Sequence, residues 1–146
     1  MLPSTPPYET AYESDSAFIE AFESRTLPFT EWCHAAHIRM AWIYLMRHGL
    51  DGALSRARDS IKAYNKANHV VDAPQSGYHE TITQAWLRVV FATIRGQDTC
   101  ASSMQFLEAQ PHLRVRTLLR VFYSKPRILS PEAKSSFLPP DLSALP

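Results

Sequence analysis

The sequence has little of what marks a secreted or membrane-bound protein. Its 146 residues include only two cysteines, Cys33 and Cys100, too few for the disulfide framework of a small secreted domain. No apolar run approaches the roughly 20 residues that a membrane span requires. The start of the chain, MLPSTPPYETAYES, lacks the basic residues and apolar stretch of a signal peptide. We therefore expect a cytoplasmic protein with no membrane partner.

Net charge is also small. The formal charge is +1 at pH 7, so the chain as a whole exerts no strong attraction on nucleic acid. Basic residues are dense between Arg114 and Arg127, but the spacing of Arg116 and Arg120 is that of an ordinary solvated helix face. Nucleic acid is therefore not an expected partner, whereas a small-molecule substrate is.

Glycine and proline are scarce in the middle of the chain. There are four glycines, and eight of the eleven prolines lie in residues 1–7 and 126–146. The stretch between is nearly free of helix breakers. Its apolar residues recur with the period of a helix, and no segment alternates with period two for long enough to indicate a strand. The sequence predicts an all-α fold, a single-domain bundle of five to six helices.

The predicted domain occupies residues 15–136, between a flexible N-terminal arm of residues 1–14 and an extended C-terminal tail of residues 137–146. Gly49 has the position of a helix-terminating glycine, and the serine–proline pair at Ser130 is typical of a short helix start. The expected helices cover residues 15–25, 31–48, 52–67, 78–95, 99–109 and 112–124.

Two histidines stand out on the second expected helix. His34 and His37 are three residues apart, so their imidazoles share one helix face. Glu31 lies three residues before His34 and shares that face in a continuous helix. A carboxylate and an imidazole at this spacing are a known way to build a metal site within a helical bundle.

A third histidine begins the most apolar helix of the chain. That helix, expected to be central and buried, starts with Tyr78, His79 and Glu80, and ionisable groups are rarely buried without a task. We expect His79 to join His34 and His37 around one divalent transition metal, which could be iron, zinc or copper. Glu80 would act as acid, base or fourth ligand, with Glu31 as the second choice, and Tyr78 would donate a proton or contact the substrate.

Three further residues are candidate substrate contacts. Trp32 and Trp86 lie close in sequence to the histidines and could wall a pocket, and Arg120 could bind a substrate carboxylate. The preferred hypothesis is a metal-dependent enzyme that acts on a small organic molecule. The metal would activate dioxygen, as in an oxidoreductase, or polarise water and carbonyl groups, as in a hydrolase or lyase.

Two other functions stay open at this point. One is a non-catalytic helical module that binds a ligand or a protein partner, with the histidines hydrogen-bonded in its core. The other is a metal-free acid–base catalyst built on His79 and Glu80. A homodimer is compatible with all three hypotheses.

The segments WCHAAHIRMAW and GYHETITQAWL resemble those of a group of small uncharacterised helical proteins with a W-x-H-x-x-H helix and a later G-Y-H-E-T helix start. The resemblance covers the chain from about Phe18 to its C-terminal end. It implies a shared fold and draws attention to His34, His37, His79 and Glu80, without implying an activity. The setting is also similar in kind to DinB-like bundles, which hold a metal by histidines from separate helices, although their usual histidine spacing is four residues.

Overall fold

The computed structural model describes residues 6–146, which fold into α-helices and short 3₁₀ segments. Within these residues there is no strand, and a single β-bridge joins Ala73 to Ser76. The expected all-α fold is confirmed. The α-helices are α1 (Asp15–Glu23), α2 (His34–Ala67), α3 (Glu80–Arg95), α4 (Ser103–Ala109), α5 (Lys125–Ile128) and α6 (Pro131–Ser135). The 3₁₀ segments are Phe29–Glu31, Pro111–Arg114 and Arg116–Val121.

Helix α2 is interrupted at Gly49, where the sequence predicted a helix end. This glycine has φ 71° and ψ −177°, which lies outside the helical region. A residue with a Cβ adopts this conformation only under strain. The interruption divides α2 into an N-terminal half and a C-terminal half. Helix α2 packs most extensively against α3, and it also contacts α1 and α4.

We expect Gly49→Ala to lower the free energy of unfolding by about 1–3 kcal/mol, the usual cost of a non-glycine residue in such a conformation. An added Cβ would meet no atom within 4 Å, so backbone strain alone accounts for the loss. Gly96→Ala is the matched control, because Gly96 has an ordinary φ of −89°. Urea unfolding measures both variants, and equal stabilities would contradict the strain argument.

The core forms where the apolar faces of these helices meet. Phe18 and Phe22 of α1, Ile38 of α2, and Leu87 and Val90 of α3 are all essentially inaccessible to solvent. Burial of such side chains is the main favourable term in folding. Within residues 6–146, none of the helices combines the length and the apolar character that a membrane span needs.

Serine side chains cap three of the helices, and one of these caps moves a helix start: α4 begins at Ser103 rather than at the expected residue 99. Ser14, Ser102 and Ser130 each accept a hydrogen bond from the N–H three residues later, so each is the N-cap of its helix. The helix expected over 112–124 is two 3₁₀ segments instead, because Val115 adopts an extended conformation with ψ 107° and separates them.

Both terminal segments lie against the domain where the structure describes them. Met1 to Thr5 of the expected arm lie outside the described residues, and the carbonyl oxygen of Pro6 accepts a hydrogen bond from Arg114. In the tail, the carbonyl oxygen of Leu138 accepts from the Tyr123 hydroxyl at 2.6 Å, and Asp141 accepts from both the backbone and the side chain of Ser124.

Candidate functional site

The first predicted ligand, His34, is the first residue of α2. Its Nε2 donates a hydrogen bond to the carbonyl oxygen of Leu113 at 2.9 Å, and its ring meets the edge of Trp86. Burial lowers the pKa of His34, and the nearby charges of Arg116 and Arg114 act in the same direction. The imidazole is therefore neutral at pH 7 and ties the start of α2 to the first of the two 3₁₀ segments after α4.

The second predicted ligand, His37, lies one turn further along α2. Its Nδ1 donates to the carbonyl oxygen of Cys33 at 2.7 Å, and its ring centroid is 3.8 Å from that of Trp32. Burial lowers the pKa of His37 to about 4. This histidine is thus also neutral at pH 7, and it packs between the helix start and an aromatic cluster.

The third predicted ligand, His79, is the N-cap of α3. Its Nδ1 accepts a hydrogen bond from the backbone N–H of Ile82 at 3.1 Å, and its Nε2 donates to the carbonyl oxygen of Ile128 at 2.9 Å. Both ring nitrogens are therefore engaged by the backbone, which leaves no lone pair for a metal ion. The expected helix start at Tyr78 is wrong by two residues, because the His79 side chain performs the capping.

Glu31 does not share a helix face with His34. It ends the 3₁₀ segment Phe29–Glu31, ahead of α2, and its carboxylate accepts hydrogen bonds from the Thr10 hydroxyl and the Ala11 backbone. Across residues 6–146, no group of three histidine, cysteine, aspartate or glutamate side chains is arranged to hold a metal ion. The structure therefore does not bring the predicted ligands together, and the divalent metal stays a prediction without a described ligand set.

The other part of the predicted site does line a cleft. Tyr78 and Glu80, the expected catalytic pair, form one wall of a surface cleft of about 840 Å³. The remaining walls come from the C-terminal half of α2, the loop that follows it, and α6. The other residues of the cleft are Lys62, Asn65, Lys66, Val70, Asp72, Ala73, Pro74, Gly77, Pro131, Lys134 and Ser135.

The Glu80 carboxylate accepts four hydrogen bonds from neighbouring side chains. Arg58 donates to both of its oxygens, at 2.7 and 3.1 Å, and Gln84 and the Tyr78 hydroxyl donate at 2.9 and 3.2 Å. Burial alone would raise the pKa of Glu80, but the hydrogen bonds from Arg58 and Gln84 outweigh it and the pKa is lowered. Glu80 is thus a fixed anion whose acceptor sites are occupied, which suits a structural role better than that of a general base.

Tyr78 is held in its neutral form. Burial and the neighbouring charge of Glu80 raise the pKa of Tyr78 to about 12, and the hydroxyl donates to that carboxylate. Its ring is half-buried and faces the Lys62 ammonium, which lies 5.1 Å from the ring centroid. Tyr78 therefore offers the cleft an aromatic surface with a cation beside it.

The predicted substrate contacts lie elsewhere. Trp32 stacks on Phe22 with 4.4 Å between ring centroids, Trp86 contacts His34, and Arg120 is exposed on the 3₁₀ segment Arg116–Val121. Among the described residues that line the cleft, none of these three occurs. The two tryptophans are partly buried and pack against the hydrophobic core instead.

The basic residues of the cleft were not predicted from the sequence. Lys62 and Lys66 line the cleft, and Arg58, the partner of Glu80, precedes them at the same spacing of four residues. The three follow one face of α2, and this pattern could have indicated a basic surface. Lys134 belongs to α6, far along the chain, and no sequence pattern connects it to the basic residues of α2. Comparison with protein-family models, with curated proteins and with solved structures found no match. The resemblance based on the histidine motifs therefore stays a prediction.

Proposed function

We propose that this protein is a ligand-binding module and that the cleft between α2, α3 and α6 takes a small organic molecule. The observation that carries the proposal is the cleft itself, because a volume of about 840 Å³ lies within the range of small-molecule sites. Its walls combine apolar groups, such as Val70 and Pro131, with a few polar side chains, which is the usual composition of such sites.

Hydrogen bonds and an ion pair within the protein hold the walls of the cleft. The turn between Ala73 and Ser76 closes with two backbone hydrogen bonds, at 3.1 and 3.0 Å. The bidentate pair of Arg58 and Glu80 ties α2 to α3, and Glu80 itself lines the cleft. Walls fixed by such bonds favour binding, because little ordering has to accompany the ligand.

Binding is favoured over catalysis by the state of the two expected catalytic groups. A general base needs a free lone pair and a pKa near the working pH, and the Glu80 carboxylate has neither. The Tyr78 hydroxyl, with a pKa of about 12, stays protonated and directed at Glu80. Tyr78 and Glu80 therefore contribute to the shape of the cleft wall. The three histidines are hydrogen-bonded to backbone carbonyl oxygens, as the binding-module hypothesis expects.

A fragment screen by protein-observed NMR tests the proposal. We expect hits from a mixed library of acids, bases and neutral compounds to shift the backbone amides of residues 70–80 and 131–136. Ser135→Trp, which places a large ring on the cleft wall, should abolish these shifts. Ser55→Trp, at an exposed position of α2 outside the cleft, is the matched control and should leave them intact. Hits that map elsewhere, or no hits at millimolar concentration, would overturn the proposal.

A further inference from the structure

The lysine of α6 that lines the cleft is already bound to an anion. Lys134 Nζ contacts the Asp72 carboxylate at 2.5 Å and donates to the carbonyl oxygen of Tyr78 at 2.9 Å. The Lys134 side chain is only 17% exposed, whereas the Asp72 side chain is 82% exposed. A cation that is largely withdrawn from water needs an anionic partner, and here the partner is a carboxylate that reaches it from the solvent side.

The position of Asp72 is set by a tight loop. Gly77 has φ 91°, and a Cβ on it would come within 2.8 Å of an Asp72 carboxylate oxygen and 3.1 Å of its Cα. The loop therefore folds back on itself only because residue 77 has no side chain. As a result the Asp72 carboxylate lies at the cleft, opposite α6.

The charges around the cleft favour a further anion. Its lining includes three lysines and two acidic residues. Of the acids, Glu80 is neutralised by Arg58, and Asp72 is paired with Lys134. Lys62 and Lys66 thus add positive potential on the α2 wall, while Val70, Ala73, Pro74 and Pro131 supply apolar surface.

We propose that the cleft binds organic carboxylates through Lys134, and that Asp72 occupies the carboxylate position until such a ligand displaces it. The inference rests on the proposed function and names its ligand class. Exchange of one carboxylate for another on Lys134 costs little, because Lys134 keeps an anionic partner and the exposed Asp72 carboxylate returns to water. The apolar walls then accommodate a short hydrocarbon chain, which Asp72 itself lacks.

Hexanoate and its neutral analogue hexanamide are the probes for this inference. In NMR titrations at pH 7, we expect hexanoate to shift the amides of residues 72–78 and 131–135, and to bind at least tenfold more tightly than hexanamide. Raising the salt concentration should weaken the binding of hexanoate and leave the binding of hexanamide unchanged, since only the charged probe is screened.

Two variants separate the roles of the ion pair. Asp72→Asn keeps the shape and removes the competing charge, so hexanoate should bind about two- to fivefold more tightly, as expected when an ion pair with one exposed partner no longer competes. Lys134→Met should weaken hexanoate binding at least tenfold. Asp59→Asn, an exposed acid on α2 outside the cleft, is the control and should leave the affinity unchanged.

The outcomes distinguish this inference from the proposed function. Equal binding of the acid and the amide, or unchanged affinity in Asp72→Asn, overturns the carboxylate inference while the cleft remains a binding site. Failure of hexanoate alongside other fragments that do bind has the same meaning. If Lys134→Met fails to fold, Asp72→Asn alone decides, because its exposed side chain can be exchanged without disturbing the core.

Discussion

Replacing Arg39 with methionine is expected to lower the free energy of unfolding by about 3–5 kcal/mol, the cost of removing one partner from a buried ion pair. Arg39 is fully buried in α2 and pairs with Asp15 at 3.4 Å. Methionine fills much of the same volume, so the loss comes from the acceptors left behind rather than from a cavity.

The Arg39 guanidinium uses all five of its N–H donors. Its Nε donates to the Ser103 hydroxyl at 2.8 Å. Its two Nη atoms donate to the Tyr8 hydroxyl, the carbonyl oxygens of Tyr12 and Glu13, and the Asp15 carboxylate. The group also lies 4.2 Å from the centre of the Phe18 ring. One side chain therefore joins the N-terminal segment, α1, α2 and α4.

The matched control is Arg56→Met, which replaces an exposed arginine of the same helix and should change stability by less than about 0.5 kcal/mol. Arg39→Lys keeps the charge but supplies fewer donors, so it should fall between wild type and Arg39→Met. Urea unfolding gives the free energies, and limited proteolysis reports whether residues 6–14 become accessible. A loss below 1 kcal/mol for Arg39→Met would show that the network is not required.

The parts of the fold that local chemistry determines could be predicted from the sequence. The break at Gly49 follows from a backbone conformation that only glycine adopts without strain, and α6 begins at a serine–proline pair. The two 3₁₀ segments after α4 could not be predicted, because apolar spacing does not distinguish hydrogen bonds to the third residue from those to the fourth. The position of Arg39 between Ile38 and Met40, in an apolar stretch, could have indicated a buried charge with hydrogen-bond partners.

The candidate site was predicted only in part, because the contacts that define it join residues far apart in the sequence. Tyr78 and Glu80 were recognised as unusual at the start of an apolar helix, and they do line the cleft. The histidines were assigned to a metal because their spacing places His34 and His37 on one face. Their hydrogen-bond partners are backbone carbonyls, and those of His34 and His79 lie 79 and 49 residues away, which no helix periodicity reveals.

Acid is expected to destabilise the protein well before its carboxylates titrate. Burial lowers the pKa values of His34, His37 and His79 below the ordinary 6.5 of histidine, and that of His37 falls to about 4. At pH values between the folded and unfolded pKa values of these histidines, the unfolded chain binds protons that the folded protein does not. Stability is therefore fully present above pH 6.5 and decreases as the pH falls towards 4.

The size of the effect follows from His37 alone. One pKa unit corresponds to about 1.4 kcal/mol, so a shift from 6.5 to about 4 removes roughly 3 kcal/mol between pH 7 and pH 4. His34 and His79 add to this loss in the same direction. Glu80, whose pKa is lowered from 4.5, adds a further loss that begins as the pH falls through about 4.5, where the unfolded carboxylate binds a proton and the folded one does not.

His37→Phe isolates the largest contribution. Phenylalanine keeps an aromatic ring against Trp32 but cannot bind a proton, so the difference in unfolding free energy between pH 7 and pH 4 should shrink by about 3 kcal/mol. His48→Gln, at an exposed histidine, is the control and should leave that difference within about 0.5 kcal/mol of wild type. Guanidinium unfolding at the two pH values gives the result. An unchanged pH dependence in His37→Phe would mean that the folded protein protonates this ring as readily as the unfolded chain does, and the buried neutral imidazole would then have to be abandoned.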